Sequence, residues 1–105
     1  MKEEKIQELQ LLEQNMTHLQ IQKQKFETQQ VEVDSALSEL GNTNEAFRII
    51  GNVMVKVDIP RLQKELDEKK EMLAIRVKTL ENQEEKLKEK AVNLQKDLLS
   101  DMKSK

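Results

Sequence analysis

The sequence predicts a mainly α-helical protein in which two long helices form an antiparallel coiled coil and a β-hairpin makes the turn between them. All three backbone breakers, Gly41, Gly51 and Pro60, fall within one short stretch, so the segments on either side can run as unbroken helices. Inside that stretch two β-branched and aromatic runs, AFRII and VMVKV, flank a Gly51-Asn52 dipeptide suited to a hairpin turn. Both flanking segments carry apolar residues at heptad spacing, which is typical of coiled coils. We therefore divide one predicted domain, residues 1–105, into a first helix, a hairpin and a second helix spanning 1–41, 42–58 and 59–105.

Composition and charge narrow the possible function classes. Charged residues make up 36% of the chain and only two residues are aromatic, which favours a long coiled structure over a compact core. The 18 basic and 20 acidic residues are interspersed and sum to a charge of −2, so we expect neither nucleic acid nor membrane as a partner. There is no long apolar run and the N-terminus lacks the apolar core of a signal peptide, which predicts a cytoplasmic protein. The absence of cysteine excludes disulfides, thiolate catalysis and sulfur-ligated metals.

The first predicted helix presents a seam for one partner helix. Taking Leu9 as heptad position a defines the series of a and d positions along the helix. These are Leu9, Met16, Lys23, Gln30 and Leu37 at a, and Leu12, Leu19, Phe26, Val33 and Leu40 at d. Lys23 and Gln30 lie midway along the seam, where polar groups lower stability and help to define register and strand number. Gly41 is predicted to end the helix in the left-handed conformation common just past a helix C-terminus.

The predicted hairpin is apolar on both faces. With Gly51 and Asn52 as turn residues, the cross-strand neighbours are Ile50 with Val53, Ile49 with Met54, Arg48 with Val55, and Phe47 with Lys56. One face then carries Ile50, Val53, Val55 and Val57, and the other carries Phe47, Ile49 and Met54. An isolated two-stranded hairpin is marginally stable and leaves two open edges, so we expect it to pair with strands of other chains. The alternative, a hairpin folded back against its own helices, would cover only one face.

The second predicted helix begins near Pro60, which a first helical turn tolerates, with Asp58 as its cap. Its seam consists of leucines seven residues apart and their companion positions. The leucines are Leu66, Leu73, Leu80, Leu87 and Leu94, and the companions are Lys70, Val77, Glu84, Ala91 and Leu98. A leucine-zipper transcription factor needs a basic helix ahead of its leucines, whereas here a strand and mixed charges precede them. The short link instead favours antiparallel pairing with the first helix, so that both termini meet at one tip.

Four apolar residues near the predicted tip fall outside positions a and d. They are Ile6, Leu11, Leu99 and Met102. Adjacent residues such as Leu11 and Leu12 cannot both enter one narrow seam, so one of each pair is predicted to face outward. Exposed apolar groups clustered at the end of an arm suggest a binding surface. The alternative is ordinary scattered hydrophobes, because others also lie mid-helix. Those mid-helix residues are Ile21, Val31, Met72 and Ile75.

Residues that support catalysis are missing. His18 is the only histidine and occupies a heptad c position, where a solvated side chain is expected rather than a metal ligand. The chain contains no glycine-rich phosphate loop and no nucleophile elbow, and no base is placed to activate its serines. We therefore predict no enzyme activity, no cofactor and no metal site.

The run AFRIIGNVMVKVD, followed by KELDEKKEMLAIRVKTLENQEEKLKEK, resembles the β-class subunit of prefoldin in its archaeal form. The resemblance covers the whole chain, and its most specific part is the strand, turn, strand and charged helix around Gly51. Prefoldin α-class subunits carry two hairpins between their helices, and this link has room for one, which points to the β class. The resemblance implies a hexamer of two α-type and four β-type subunits, whose hairpins form a double β-barrel platform bearing coiled-coil arms.

The resemblance also implies partners and sites. Prefoldins hold non-native proteins between their arm tips without ATP, so the implied partners are α-type prefoldin subunits, unfolded or nascent proteins and a group II chaperonin. The residues matching the platform are Phe47, Ile49, Ile50, Val53, Met54, Val55 and Val57. The candidate client-binding tip residues are Ile6, Leu9, Leu11, Leu12, Met16, Leu98, Leu99 and Met102.

The residues leave two other function classes open. A structural coiled-coil adaptor would bind one folded partner and no unfolded clients. A helical bundle similar to the tubulin cofactors would leave the β-hairpin without a purpose. Binding to unfolded proteins distinguishes the implied chaperone from the adaptor.

Overall fold

Two long helices and a short hairpin make up the computed structural model, which describes residues 2–103. Helix α1, strand β1, strand β2 and helix α2 span Lys2–Leu40, Ala46–Ile50, Val53–Val57 and Ile59–Lys103. The predicted order of helix, hairpin and helix is confirmed. The two helices were predicted to include Met1, Ser104 and Lys105, and these three residues lie outside the described ones.

Helix α1 ends where predicted but in a different conformation. The Gly41 amide makes an ordinary helical hydrogen bond to the Leu37 carbonyl at 3.3 Å. The Asn42 amide donates to the Glu39 carbonyl, three residues back, at 3.0 Å, which tightens the last turn. The Asn42 side-chain amide donates to one more carbonyl of the same turn. The predicted left-handed Gly41 is wrong, since among the described residues only Gly51 has a positive φ. The last carbonyls of α1 already have partners, so no left-handed cap is needed.

The hairpin has the predicted register. Strands β1 and β2 pair antiparallel, with Ile50 opposite Val53 and each predicted pair further along the strands in place. Gly51 has a φ of 61°, whereas Asn52 does not adopt a positive φ. A positive φ at the first turn residue alone is typical of a type II′ turn, whose twist matches that of the flanking strands. The turn therefore requires glycine at position 51 only.

Helix α2 begins as predicted. The backbone carbonyl of Asp58 accepts a hydrogen bond from the Leu62 amide at 3.0 Å, which makes Asp58 the N-cap. Pro60 is the second helical residue, where an amide hydrogen would have no partner within the helix. A single residue thus separates strand β2 from helix α2.

The chain forms two compact units, each containing parts of both helices. The hairpin unit is Phe26–Arg76, and its buried apolar side chains are Val33, Ala46 and Leu73. The Arg76 guanidinium lies 5.5 Å from the centre of the Phe26 ring, a cation–π contact between the helices. Because these two residues meet at opposite ends of their helical segments, α1 and α2 run antiparallel in this unit.

Lys70 differs from its predicted placement in the seam of the hairpin unit. Its side chain is 56% exposed, and its Nζ lies 3.1 Å from Asp34 Oδ1. The long, charged side chain leaves the seam to reach a carboxylate at the surface, where the ammonium group keeps its water. The prediction that Lys70 packs in the seam is therefore wrong.

The terminal unit combines Met1–Lys25 with Val77–Lys105. Its helices are joined by ion pairs, with Lys5 Nζ 2.7 Å from Asp101 Oδ2 and Lys23 Nζ 3.3 Å from Glu84 Oε1. The later residue of α1, Lys23, pairs with the earlier residue of α2, Glu84, so the helices are antiparallel in this unit as well. Its buried apolar side chains are Leu12, Val77 and Leu80, all of which are predicted seam residues.

The two glycines are expected to respond in opposite ways to alanine. Gly41→Ala should raise stability by roughly 0.4–1 kcal/mol, because the new Cβ meets its nearest carbonyl oxygen at an ordinary 3.4 Å and the unfolded chain loses freedom. Gly51→Ala should lower stability by about 1–2 kcal/mol, because an L side chain is strained at a φ of 61°. Thermal unfolding followed by circular dichroism at one fixed protein concentration compares the variants. A Gly51→Ala protein that melts at or above the wild-type temperature would contradict the turn.

Candidate functional site

The apolar side chains of the hairpin form an exposed surface, which we call the hairpin surface. It consists of the predicted platform residues Phe47, Ile49, Ile50, Val53, Met54, Val55 and Val57. Ile49 is 71% exposed and Ile50 is 60% exposed, although neighbouring strand residues point to opposite faces. Only Val57 is half-buried, next to its buried partner Ala46 at the base of the hairpin. Neither face is covered beyond that base, so the alternative of a hairpin folded back against its own helices is wrong.

A charged pair connects the hairpin to the first turns of α2. Arg48 Nη2 donates a hydrogen bond to Glu65 Oε2 at 2.5 Å. This bond, with the positive charges of Arg48 and Arg61, lowers the pKa of Glu65 below its ordinary value. Arg48 lies on the same face as Ile50, so the pair borders the hairpin surface. Sequence reasoning missed it, because no periodic pattern links a strand residue to a helix residue 17 positions away.

The terminal unit carries a second set of exposed apolar side chains, towards the end where α1 begins and α2 ends. We call it the tip surface, and it consists of Ile6, Leu11, Leu99 and Met102. Leu11 and Leu99 are each 57% exposed and Met102 is 60% exposed. These are the four side chains that the heptad assignment placed outside the seam. Their contact with clients stays a prediction.

The other four predicted tip residues lie in the seam. Leu12 is buried, and Leu9, Met16 and Leu98 are half-buried. The structure therefore divides the eight predicted residues into four that face outward and four that hold the helices together. Among these eight residues, the four of the tip surface are the ones that are exposed while the two helices stay paired.

An ion pair closes the seam beside the tip surface. Lys5 donates to Asp101 at 2.7 Å, and this hydrogen bond raises the pKa of Lys5 above its ordinary value, with the charges of Asp101 and Asp97 adding to the effect. Lys5 lies seven residues before Leu12, and Asp101 lies seven residues after Leu94. Extending both heptad series by one repeat would have placed this pair in the seam. The seam therefore ends in a charged contact, and the neighbouring tip surface consists of apolar side chains.

The single histidine makes a local contact with its own helix. His18 Nε2 lies 3.2 Å from the side-chain nitrogen of Gln22, one turn further along the exposed face of α1. Within residues 2–103, no three His, Asp or Glu side chains gather in an arrangement that could hold a metal ion. Over the same residues, neither helix has a stretch apolar and long enough to cross a membrane.

Known proteins share both the sequence pattern and this arrangement of helices and hairpin. A family model described as prefoldin subunit matches residues 3–105. The chain belongs to the prefoldin family. The resemblance drawn from the hairpin and the charged second helix is therefore confirmed.

Curated prefoldin β subunits are among the relatives that this chain matches. The chain is 35% identical over 91 residues to prefoldin subunit beta of Sulfurisphaera tokodaii, covering 84% of this chain and 73% of the relative. It is 36% identical over 94 residues to prefoldin subunit beta of Archaeoglobus fulgidus, covering 87% of this chain and 81% of the relative. The crystal structure of the prefoldin beta subunit from Thermococcus strain KS-1 matches with a TM-score of 0.90 at 28% identity, covering 99% of this chain and 94% of that chain. The chain thus has the prefoldin β-subunit fold, with one hairpin between two helices.

Proposed function

We propose that the chain is a subunit of an ATP-independent chaperone that holds non-native proteins and delivers them to a group II chaperonin. Membership in the prefoldin family supports this function. The observation that carries the proposal is the tip surface, four apolar side chains that stay exposed at the end of the terminal unit. Unfolded or nascent chains expose apolar side chains, and burying these against the tip surface removes both from water. The proposed place of action is the cytoplasm.

The proposed chaperone is a hexamer in which four copies of the β-type chain join two α-type prefoldin subunits. The hairpin surface supports this assembly, because both of its faces are apolar and exposed in the single chain. The two-stranded sheet also has open edges that further strands can pair with. A closed barrel built from several hairpins would remove these edges and bury both faces.

Capture and release need no nucleotide in this mechanism. Each tip surface is small, so its contact with a client is individually weak. Several tips acting on one client raise the total affinity through effective concentration. Release follows when the contacts are lost one after another, so a chaperonin that competes for the same apolar segments can receive the client without ATP hydrolysis by the holding chaperone.

A structural adaptor is the second candidate function. Some mid-helix side chains are about as exposed as the tip surface, with Ile21 at 49%, Val31 at 66% and Met72 at 46%. A folded partner lying along the helices would cover such residues. An adaptor binds that one partner and does not retain unfolded chains.

The chaperone proposal is tested by diluting a denatured protein into buffer containing the chain assembled with an α-type subunit. Light scattering is expected to show suppressed aggregation without ATP, and adding a group II chaperonin is expected to take the client from the complex. The α-type subunit alone and an unrelated coiled-coil protein at equal mass serve as controls. Aggregation equal to that in the controls would contradict the chaperone function and favour the adaptor.

A further inference from the structure

The leucine repeat of α2 is suited to pairing with a second copy of itself. Five leucines recur every seven residues, and parallel two-stranded zippers are built on such repeats. The repeat consists of Leu66, Leu73, Leu80, Leu87 and Leu94. In the structure these side chains are buried or half-buried within a single chain. The short link between the helices favours α1 of the same chain as the partner of α2. Charged residues in the seam favour the same pairing.

Two opposite charges meet inside the seam of the terminal unit. Lys23 Nζ lies 3.3 Å from Glu84 Oε1, and the two side chains are only 26% and 18% exposed. The Glu84 Oε1 atom is enclosed, and no donor among the described residues reaches it in hydrogen-bond geometry. The positive charge of Lys23 therefore offsets the cost of removing this carboxylate oxygen from water. Sequence analysis placed both residues in the seam and did not foresee their contact.

We propose that this pair selects the partner helix, admitting α1 of the same chain and opposing parallel pairing of α2 with α2 of a second copy. In a parallel pair with matched register, each seam residue at position a faces its own counterpart. Glu84 would then face a second Glu84. A parallel pair of α1 helices would likewise bring two Lys23 side chains together. Like charges in a partly dry seam repel, and each carboxylate would lose its ammonium partner.

This selection matters wherever several copies of the chain are held close together, because the local concentration of competing α2 helices is then high. It does not depend on the chaperone proposal, since it follows from contacts within one terminal unit. A polar pair in a coiled-coil seam lowers stability relative to apolar residues and excludes alternative pairings. The pair of Lys23 and Glu84 thus lowers the stability of the coiled coil and in return disfavours pairing between copies of the chain.

Glu84→Leu in the full chain is expected to permit association through α2. Light scattering after size exclusion should give a mass above that of the wild type at the same concentration. The chain contains no cysteine, so a single thiol introduced at the exposed Gln95 reports the geometry. A short bismaleimide should join two copies through position 95 in the Glu84→Leu background and not in the wild-type background. Association through the hairpin is common to all variants and does not produce this difference.

Two controls separate the seam charge from a general gain in hydrophobicity. Glu85→Leu makes the same change one residue further on, at an exposed position outside the seam, and should keep the wild-type mass. The double variant Lys23→Glu with Glu84→Lys keeps opposite charges within the chain and like charges between copies, and should also keep the wild-type mass. A Glu84→Leu protein with unchanged mass and no crosslink would overturn the proposal. Association of the charge-swapped variant to the same extent as Glu84→Leu would overturn it too.

Discussion

Replacing Leu11, Leu99 and Met102 with serine is expected to abolish protection of a denatured client while the assembly stays intact. Each side chain is at least 57% exposed and lies outside the seam, so serine removes apolar contact area without opening a cavity. Burying a side chain of this size contributes roughly 1.5–3 kcal/mol. Because about 60% of each side chain is still exposed, losing all three should weaken client binding by about a hundredfold or more. Light scattering of the diluted client measures protection, and size exclusion with mass detection measures assembly.

Mid-helix residues provide a matched control for the tip surface. Ile21, Val31 and Met72 are 49%, 66% and 46% exposed, so their replacement by serine removes a similar amount of exposed apolar surface. This control variant is expected to protect the client as the wild type does. If the control loses protection and the tip variant retains it, clients bind along the helices and the tip proposal fails.

Ile50→Asp combined with Val53→Asp is expected to leave monomers or dimers in place of the hexamer. The two residues face each other beside the turn and are 60% and 62% exposed, so the new carboxylates are solvated in the single chain. Within a barrel platform each would be buried without a partner, which costs several kcal/mol per ion. This penalty greatly exceeds the modest repulsion between opposed carboxylates in the free hairpin. Size exclusion with light scattering, in the presence of an α-type subunit, measures the effect.

The hairpin variant also has a matched control in α1. Ile21→Asp with Val31→Asp adds the same two charges at comparably exposed positions outside the hairpin. This protein is expected to assemble as the wild type does. A hairpin variant that still elutes with the wild-type mass would contradict the platform role of the hairpin surface, whatever the control shows.

Local patterns accounted for most of the fold. Heptad spacing predicted both helices, and the position of Gly51 between two β-branched runs predicted the strand register pair by pair. The same spacing separated the tip surface from the seam, because a residue outside a and d on a paired helix faces water. Leu12 buried and Leu11 exposed illustrate how one residue of offset decides this.

The errors and omissions arose where a side chain is long, where a partner is distant in sequence, or where a helix end could be satisfied in more than one way. Lys70 occupies a seam position yet reaches Asp34 at the surface, because four methylenes allow its charge to leave the seam. Gly41 avoids the left-handed conformation because neighbouring amides already satisfy the helix end. The pairing of Arg48 with Glu65 joins a strand to a helix and has no periodic signal.

The amino-acid sequence by itself determined the two helices, the hairpin, its register and the set of apolar residues that cannot enter the seam, because each follows from interactions between residues close in the chain or from a regular repeat. Only the tertiary structure decided which charges meet, such as Lys23 with Glu84 and Lys5 with Asp101, and how much of each apolar side chain stays exposed. Ion pairing and burial depend on distances between segments far apart in the chain, and these distances exist only after the helices have packed.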